Sequence, residues 1–264
     1  MTPAEVTIGL LIGAAGGLAG GLLGIGGSVV MIPALTFAFG PDQQRFQAAA
    51  MIINTAVAIT ATIRHGKAKV IRFDVARRVL PVALVAILAG VALSNRMDAL
   101  VLQRSFGVFL FVLAAYEGWT LLRGSPEPLD DREAATWPRS AAAGGFMGLP
   151  AGLLGIGGGL LLVPALHRLN RLPLRQAIGT SSAVILVTAA VGAVAKNLNF
   201  GVPAGSGPVV EASRVLPLAA ALLPGGVIGA LVGATLTHHL PTAWVKMALV
   251  LLLLLAGSRM LGIG

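Results

Sequence analysis

Long apolar stretches are the feature that most restricts what this chain can fold into. About eight of them follow one another, with only short polar connectors between them. A membrane-spanning helix needs ~20 predominantly apolar residues. Charged residues make up only 11% of the chain, against about 25% in a soluble domain, so the polar surface is too small to coat a soluble protein. The sequence therefore predicts an all-α integral membrane protein in the lipid bilayer and excludes a soluble enzyme.

A glycine motif occurs twice. Residues 21–27 read GLLGIGG, and residues 152–158 repeat the motif. Ten of the sixteen positions from 20 to 35 are identical to their partners 131 residues later. These identities include Pro33-Ala34-Leu35 with Pro164-Ala165-Leu166, and two further matches keep the same order: Gln47-Ala48 with Gln176-Ala177, and Arg78-Val79-Leu80-Pro81 with Arg214-Val215-Leu216-Pro217. Such a series predicts two homologous halves.

The halves are residues 1–123 and 140–264, and residues 124–139 join them. The joint holds three prolines and four of the ten acidic residues, which is typical of a solvated linker, and we expect it to be cytoplasmic. Each half contains four apolar units. They cover about 6–39, 48–63, 79–94 and 99–122 in the first half, and about 140–166, 177–195, 215–235 and 243–262 in the second.

The first unit of each half is long and is interrupted by the glycine motif. Glycine loses backbone entropy in a helix and permits turns, and a proline follows each copy, at Pro33 and Pro164. We therefore predict a broken helix, or a re-entrant hairpin of two half-helices. The chain then has about eight spanning segments, or ten if each broken unit counts as a pair.

Charge placement bears on the orientation of the halves. The connector from Arg64 to Arg78 holds six Lys/Arg residues, whereas the corresponding connector from Lys196 to Arg214 holds two. Because basic residues accumulate on the cytoplasmic side, we place the first connector there. Re-entrant first units give inverted halves and singly crossing units give parallel ones. We favour inverted halves, because broken helices and inverted repeats occur together in transporters.

The glycine motifs have two interpretations. Small residues allow helices to pack closely in a membrane. A break near mid-membrane also exposes amide groups at a helix N-terminus, which attracts anions. A P-loop is excluded because neither copy ends in the required lysine. On the second interpretation, the backbone sites are Gly24, Gly26, Gly27, Gly155, Gly157 and Gly158.

Neutral polar side chains lie inside apolar units and suit an oxyanion. The candidates are Ser28, Asn54, Thr55, Thr180, Ser181 and Ser182. Their alternative role is to hydrogen-bond between helices or back to the preceding turn. The halves differ here, because Ala50-Met51-Ile52 align with Gly179-Thr180-Ser181.

Several chemistries lack the residues they need. The chain has no cysteine, and no spacing indicates a metal site, a catalytic constellation or a cofactor, so we expect none of these. The net charge of +9 is explained by basic connectors between apolar units, and we do not expect nucleic-acid binding. A homo-oligomer is left open.

The doubled GLLGIGG-x5-P-A-L, followed by Gln176-Ala177-Ile178-Gly179-Thr180-Ser181, resembles the sulfite exporter TauE/SafE family. The resemblance covers nearly the whole chain. It implies a multi-pass protein of the bacterial inner membrane that exports a small sulfur-containing anion, such as sulfite or an organosulfonate. Membrane potential or a coupled ion would drive the export. The alternative is a membrane assembly or receptor subunit that transports nothing.

Overall fold

The computed structural model describes residues 1–23, 26–123, 135–203, 209–236 and 242–262. Within these ranges the chain is helical, without strands. The first five helices are α1 (Pro3–Leu23), α2 (Ser28–Phe39), α3 (Gln43–Lys67), α4 (Phe73–Ser94) and α5 (Ala99–Arg123). The next five are α6 (Trp137–Leu154), α7 (Gly159–Arg168), α8 (Leu174–Asn197), α9 (Ala212–Leu236) and α10 (Thr242–Met260).

Six of the described helices are long and apolar enough to cross a membrane, namely α1, α3, α4, α5, α8 and α9. Helices satisfy their own backbone hydrogen bonds, which is why lipid selects them. The all-α membrane class is therefore confirmed, while the count of eight spanning segments stays a prediction.

Both glycine motifs interrupt a helix, as predicted. In the first copy α1 ends at Leu23 and α2 begins at Ser28, and in the second α6 ends at Leu154 and α7 begins at Gly159. Gly155, Gly157 and Gly158 all have positive φ, between 71° and 83°, a conformation that glycine adopts without steric cost. The first break folds α2 back along α1. Gly20 of α1 lies beside Gly27, and Gly16 of α1 lies beside Met31 of α2, each too close for an added β-carbon.

Two helix pairs pack so closely that glycine is required at the contact. A β-carbon on Gly13 of α1 would lie 2.1 Å from the carbonyl oxygen of Leu222 on α9. One on Gly152 of α6 would lie 2.1 Å from the carbonyl oxygen of Ile87 on α4. In each pair, glycines later along one helix contact residues later along its partner. Helix α1 therefore runs parallel to α9, and α4 runs parallel to α6. Each pair joins a helix of residues 1–123 to a helix of residues 137–236.

Helices α3 and α8 are the two most buried of the candidate spans and pack against each other. They are antiparallel. A β-carbon on Gly192 would lie 3.4 Å from Met51, and one on Gly179 would lie 3.4 Å from His65. Helices α5 and α10 form a further pair. Together with α2, the α3 and α5 side chains supply much of the largest apolar core, including Met31, Phe46 and Phe106.

Two expected boundaries shift. Residues 137–139, which we assigned to the linker, form the first turn of α6, with Pro138 in a position where no backbone donor is needed. Residues 124–134 lie outside the described residues. Lys196, which we assigned to a connector, belongs to α8 and is fully buried. The helix continues through it because polar groups of α3 and α4 accept hydrogen bonds from its ammonium group.

Candidate functional site

The two glycine breaks meet at Asn54, near the middle of α3. A β-carbon on Gly26 would lie 3.3 Å from the Asn54 side-chain oxygen and 3.3 Å from the carbonyl oxygen of Ile156, in the second break. One on Gly157 would lie 2.8 Å from Asn54 Nδ2. Only glycine permits these approaches, so the motifs bring two interrupted backbones and one amide side chain together.

Asn54 holds the beginning of α2. Its Oδ1 accepts hydrogen bonds from the backbone N–H groups of Gly27, at 3.0 Å, and Ser28, at 3.3 Å. Its Nδ2 donates to Ser28 Oγ at 2.8 Å. The side chains of Asn54 and Ser28 are both fully buried. Two of the amides that we expected to face an anion, those of Gly27 and Ser28, are therefore already bonded to Asn54 in this structure.

An asparagine amide has two N–H donors, and the Asn54 amide nitrogen lies beside both breaks. One donor is used by Ser28 Oγ. The nitrogen also packs against Gly157, so closely that not even a β-carbon would fit between them. The amide is thereby held by the first break and adjacent to the second.

The second break is built on left-handed glycines. Gly155 ends α6 with a left-handed C-cap whose N–H donates to the Ala151 carbonyl, and Gly158 precedes α7 in the same conformation. A β-carbon on Gly155 would lie 2.8 Å from the Gln47 side chain. The amide of Gln47 donates to the Leu153 carbonyl at 3.3 Å. Gln47 and Asn54 of α3 therefore both face the second break.

The breaks are not equivalent. In the alignment that pairs Gln47 with Gln176, Asn54 corresponds to Ala183. A methyl group accepts no hydrogen bond, so Ala183 cannot cap the N-terminus of α7 as Asn54 caps that of α2. The backbone amides at the second break therefore have no asparagine that corresponds to Asn54 and would compete with an anion for them.

The remaining predicted side chains are not all brought to this meeting point. Thr55, next to Asn54, donates back to the Met51 carbonyl at 3.0 Å. The run from Thr180 to Ser182 lies near the C-terminal end of α3, away from Asn54, because Gly179 packs beside His65. His65 is 11 residues beyond Asn54, about 16 Å along a helix. Gly24 lies outside the described residues.

Within that run each hydroxyl has a different environment. Thr180 Oγ1 accepts a hydrogen bond from the Arg72 backbone N–H at 3.0 Å. Ser182 donates back to the Ile178 carbonyl at 3.0 Å. Ser181 is fully buried, and its Oγ has no hydrogen-bond partner within the described ranges. Ser181 therefore keeps the free donor that an anion would require.

A cavity of about 400 Å³ opens near the C-terminal end of α3. Arg64, His65, Lys67, Ala68 and Ala234 line it. Its cationic lining belongs to the basic connector that we place in the cytoplasm. In the part of the chain that the structure describes, no group of three acidic, histidine or cysteine side chains is arranged to hold a metal ion.

Lys196 is the residue that the sequence analysis missed. Its Nζ donates to Gln44 Oε1, and to Ser94 Oγ at 2.7 Å. Ser94 Oγ in turn donates to Gln47 Oε1 at 3.1 Å. In the sequence, Lys196 directly follows the apolar unit 177–195, which could have indicated a position inside the helix bundle. Nothing in the local sequence, however, distinguishes it from an exposed lysine at a helix end.

Comparisons with known proteins agree on the class. A family model described as Sulfite exporter TauE/SafE matches residues 9–260. A probable membrane transporter protein, MamO, of Magnetospirillum gryphiswaldense is 24% identical over an alignment of 266 positions, which covers 89% of this chain and 42% of the relative.

Other relatives are matched over more of their length. Probable membrane transporter protein YunE of Bacillus subtilis is 24% identical, with 96% of each chain covered. Probable membrane transporter protein MJ0441 of Methanocaldococcus jannaschii is 29% identical, over 74% of this chain and 72% of the relative. This chain thus spans well under half of MamO but nearly all of YunE. No solved structure is a significant match.

Proposed function

The chain belongs to the sulfite exporter TauE/SafE family, and from that premise we propose that it exports a small sulfur-containing anion, such as sulfite or an organosulfonate, across the bacterial inner membrane. The family is one of membrane transporters, and the apolar helices place the chain in a bilayer. The substrate, its direction and its driving force are the proposed part.

One observation carries the proposal: Asn54 Nδ2 packs against Gly157 at the second break, directly before α7 begins at Gly159. We propose that the anion binds there when the contact between Asn54 and Gly157 opens during transport, and that it then accepts hydrogen bonds from the Asn54 amide and the backbone amides of residues 157–159. A helix N-terminus carries roughly half a positive charge, so the site attracts an anion without a fixed charge. Neutral hydrogen bonds contribute only ~0.5–1.5 kcal/mol each, which allows release.

We propose further that residues 1–123 and 140–264 are inverted repeats. Two pairings support this. Helices α3 and α8, which would be equivalent, are antiparallel, and α1 with α9 and α6 with α4 are the same pairing with the halves exchanged. The glycine breaks then face each other near mid-membrane, as in transporters whose half-helices point at the substrate.

The basic cavity at the end of α3 supplies the cytoplasmic entrance in this proposal. Its Arg64 and Lys67 would raise the local anion concentration. An inside-negative potential drives each negative charge outward with roughly 2.3 kcal/mol per 100 mV. A dianion gains about twice that, so export proceeds without a proton relay.

The test is flux of labelled sulfite and methanesulfonate in liposomes that contain the purified protein. We expect flux with the wild type and with Gly118→Leu, since no other group lies within 4 Å of a β-carbon at Gly118. Gly26→Leu and Gly157→Leu should abolish flux, because a side chain at either glycine would push Asn54 away from the breaks. A wild type that moves no anion would favour the alternative of an assembly or receptor subunit. Glycine variants that transport normally would contradict this placement of the site.

A further inference from the structure

Lys196 is a fully buried cation without a carboxylate partner among the described residues. The single ion pair within those ranges joins Arg72 to Asp74, near the beginning of α4. The ammonium group instead donates to the neutral oxygens of Gln44 and Ser94. Neutral acceptors solvate the cation but leave its charge uncompensated. Burying an unpaired charge is costly, and an ionisable residue inside a membrane segment indicates function.

The cation is connected to the glycine breaks by one face of α3. Gln47 lies three residues after Gln44, and Asn54 lies ten residues after it. This spacing keeps all three on the same side of a helix. A hydrogen-bonded chain runs from Lys196 through Ser94 to Gln47 and ends on the Leu153 carbonyl, at the second break. From Gln44 to Asn54 this polar stripe covers about 15 Å of helix.

The stripe leads away from the basic connector. Gln44 lies in the first turn of α3, whereas Arg64 and Lys67 lie in the last turn. Ser94 ends α4, whose first turns lie in that connector. The lysine is therefore near the end of the bundle opposite the basic cavity, and the breaks lie between the two.

We propose that Lys196 is a second anion-binding station, which receives the oxyanion from the glycine breaks on its way out of the cell. This inference rests on the proposed function and adds a charged residue to the path. The anion would take the place of one neutral acceptor, so that the ammonium donates to it while Ser94 or Gln44 remains as a second partner. The uncompensated charge favours a dianion over a monoanion.

The test must separate an anion site from a structural cross-link between α8, α3 and α4. Lys196→Gln removes the charge, while its amide can still hydrogen-bond to Gln44 and Ser94. Lys196→Arg keeps the charge. Arg96→Gln is the matched control, because Arg96 is an exposed cation at the same end of α4, bonded to the Gly201 carbonyl at 2.9 Å.

The measurements are the rise in melting temperature with sulfite concentration in detergent, and sulfite and methanesulfonate flux in liposomes. We expect Lys196→Gln to raise the half-saturating sulfite concentration at least about tenfold, which is the contribution of one charge-assisted hydrogen bond. Lys196→Arg should stay within about threefold of the wild type, and Arg96→Gln should be unchanged. Sulfite should lose more affinity than methanesulfonate in Lys196→Gln.

A second variant covers the case in which Lys196→Gln does not fold. Ser94→Asp leaves the lysine in place and sets a carboxylate beside it, so the half-saturating sulfite concentration should again rise at least about tenfold. A wild-type sulfite response in either variant would overturn the role of Lys196 while leaving the proposed function standing. A wild type that responds to neither anion would overturn both.

Discussion

The sharpest prediction concerns Asn54→Leu, which preserves side-chain volume and removes every polar contact of the central amide. Asn54 Oδ1 is the acceptor for the backbone N–H groups of Gly27 and Ser28, and Nδ2 donates to Ser28 Oγ. A leucine supplies none of these bonds. Asn54 is fully buried, so the two backbone donors are left without water as a substitute.

The size of the effect follows from those two donors. A buried donor left without a partner costs about 1–3 kcal/mol, so we expect a loss of roughly 2–6 kcal/mol of stability. At about 2–4 °C per kcal/mol for a chain of this size, the melting temperature falls by roughly 5–20 °C. The beginning of α2 should loosen first, because it loses its cap.

The assay is thermal unfolding of the purified protein in one detergent, followed by intrinsic tryptophan fluorescence. Thr60→Val is the control, because Thr60 lies on the same helix and only donates back to the Ala56 carbonyl at 3.1 Å. It should melt within about 2 °C of the wild type, since the loss of one such hydrogen bond within a helix costs less than about 1 kcal/mol. If Asn54→Leu melts as the control does, the capping role assigned to Asn54 is wrong.

Three further predictions concern packing, the Thr180 contact and topology. Gly152→Ala should lower the melting temperature by several degrees, because the added carbon meets the Ile87 carbonyl oxygen at 2.1 Å. Gly145→Ala should not, because its added carbon meets only a Val82 methyl at 3.5 Å. Equal melting temperatures would contradict the close packing of α4 against α6. Thr180→Val should cost about 1 kcal/mol of stability, since it removes the acceptor of the Arg72 N–H, and it should leave sulfite binding unchanged because Thr180 lies away from Asn54. A sulfite titration that weakens several-fold would instead place Thr180 in the site. Because the chain has no cysteine, Lys67→Cys and Asp98→Cys report topology directly, and we expect an impermeant thiol reagent added to whole cells to label only Asp98→Cys.

The sequence by itself determined the membrane environment, the helical class and the position of both helix breaks. Each of these depends on local properties of the chain. An apolar run of sufficient length favours a helix in lipid wherever it packs, and the entropic cost of Gly26 or Gly157 acts on its own backbone. Asn54 and Ser28 are likewise marked by a local property, since they are neutral polar side chains inside apolar units.

Only the tertiary structure decided which of these residues meet. It brings Asn54 to both breaks. The side-chain amide of Asn54 then binds the backbone N–H groups that we predicted, from the sequence, to bind an anion. It separates Thr180 from Asn54, because α3 and α8 pack antiparallel and place Gly179 beside His65. It buries Lys196, since Gln44 and Ser94 arrive from α3 and α4 to accept its hydrogen bonds. Helix direction and burial depend on partners that are distant in the chain, so hydropathy alone could not distinguish a lysine at a helix end from a cation in the interior.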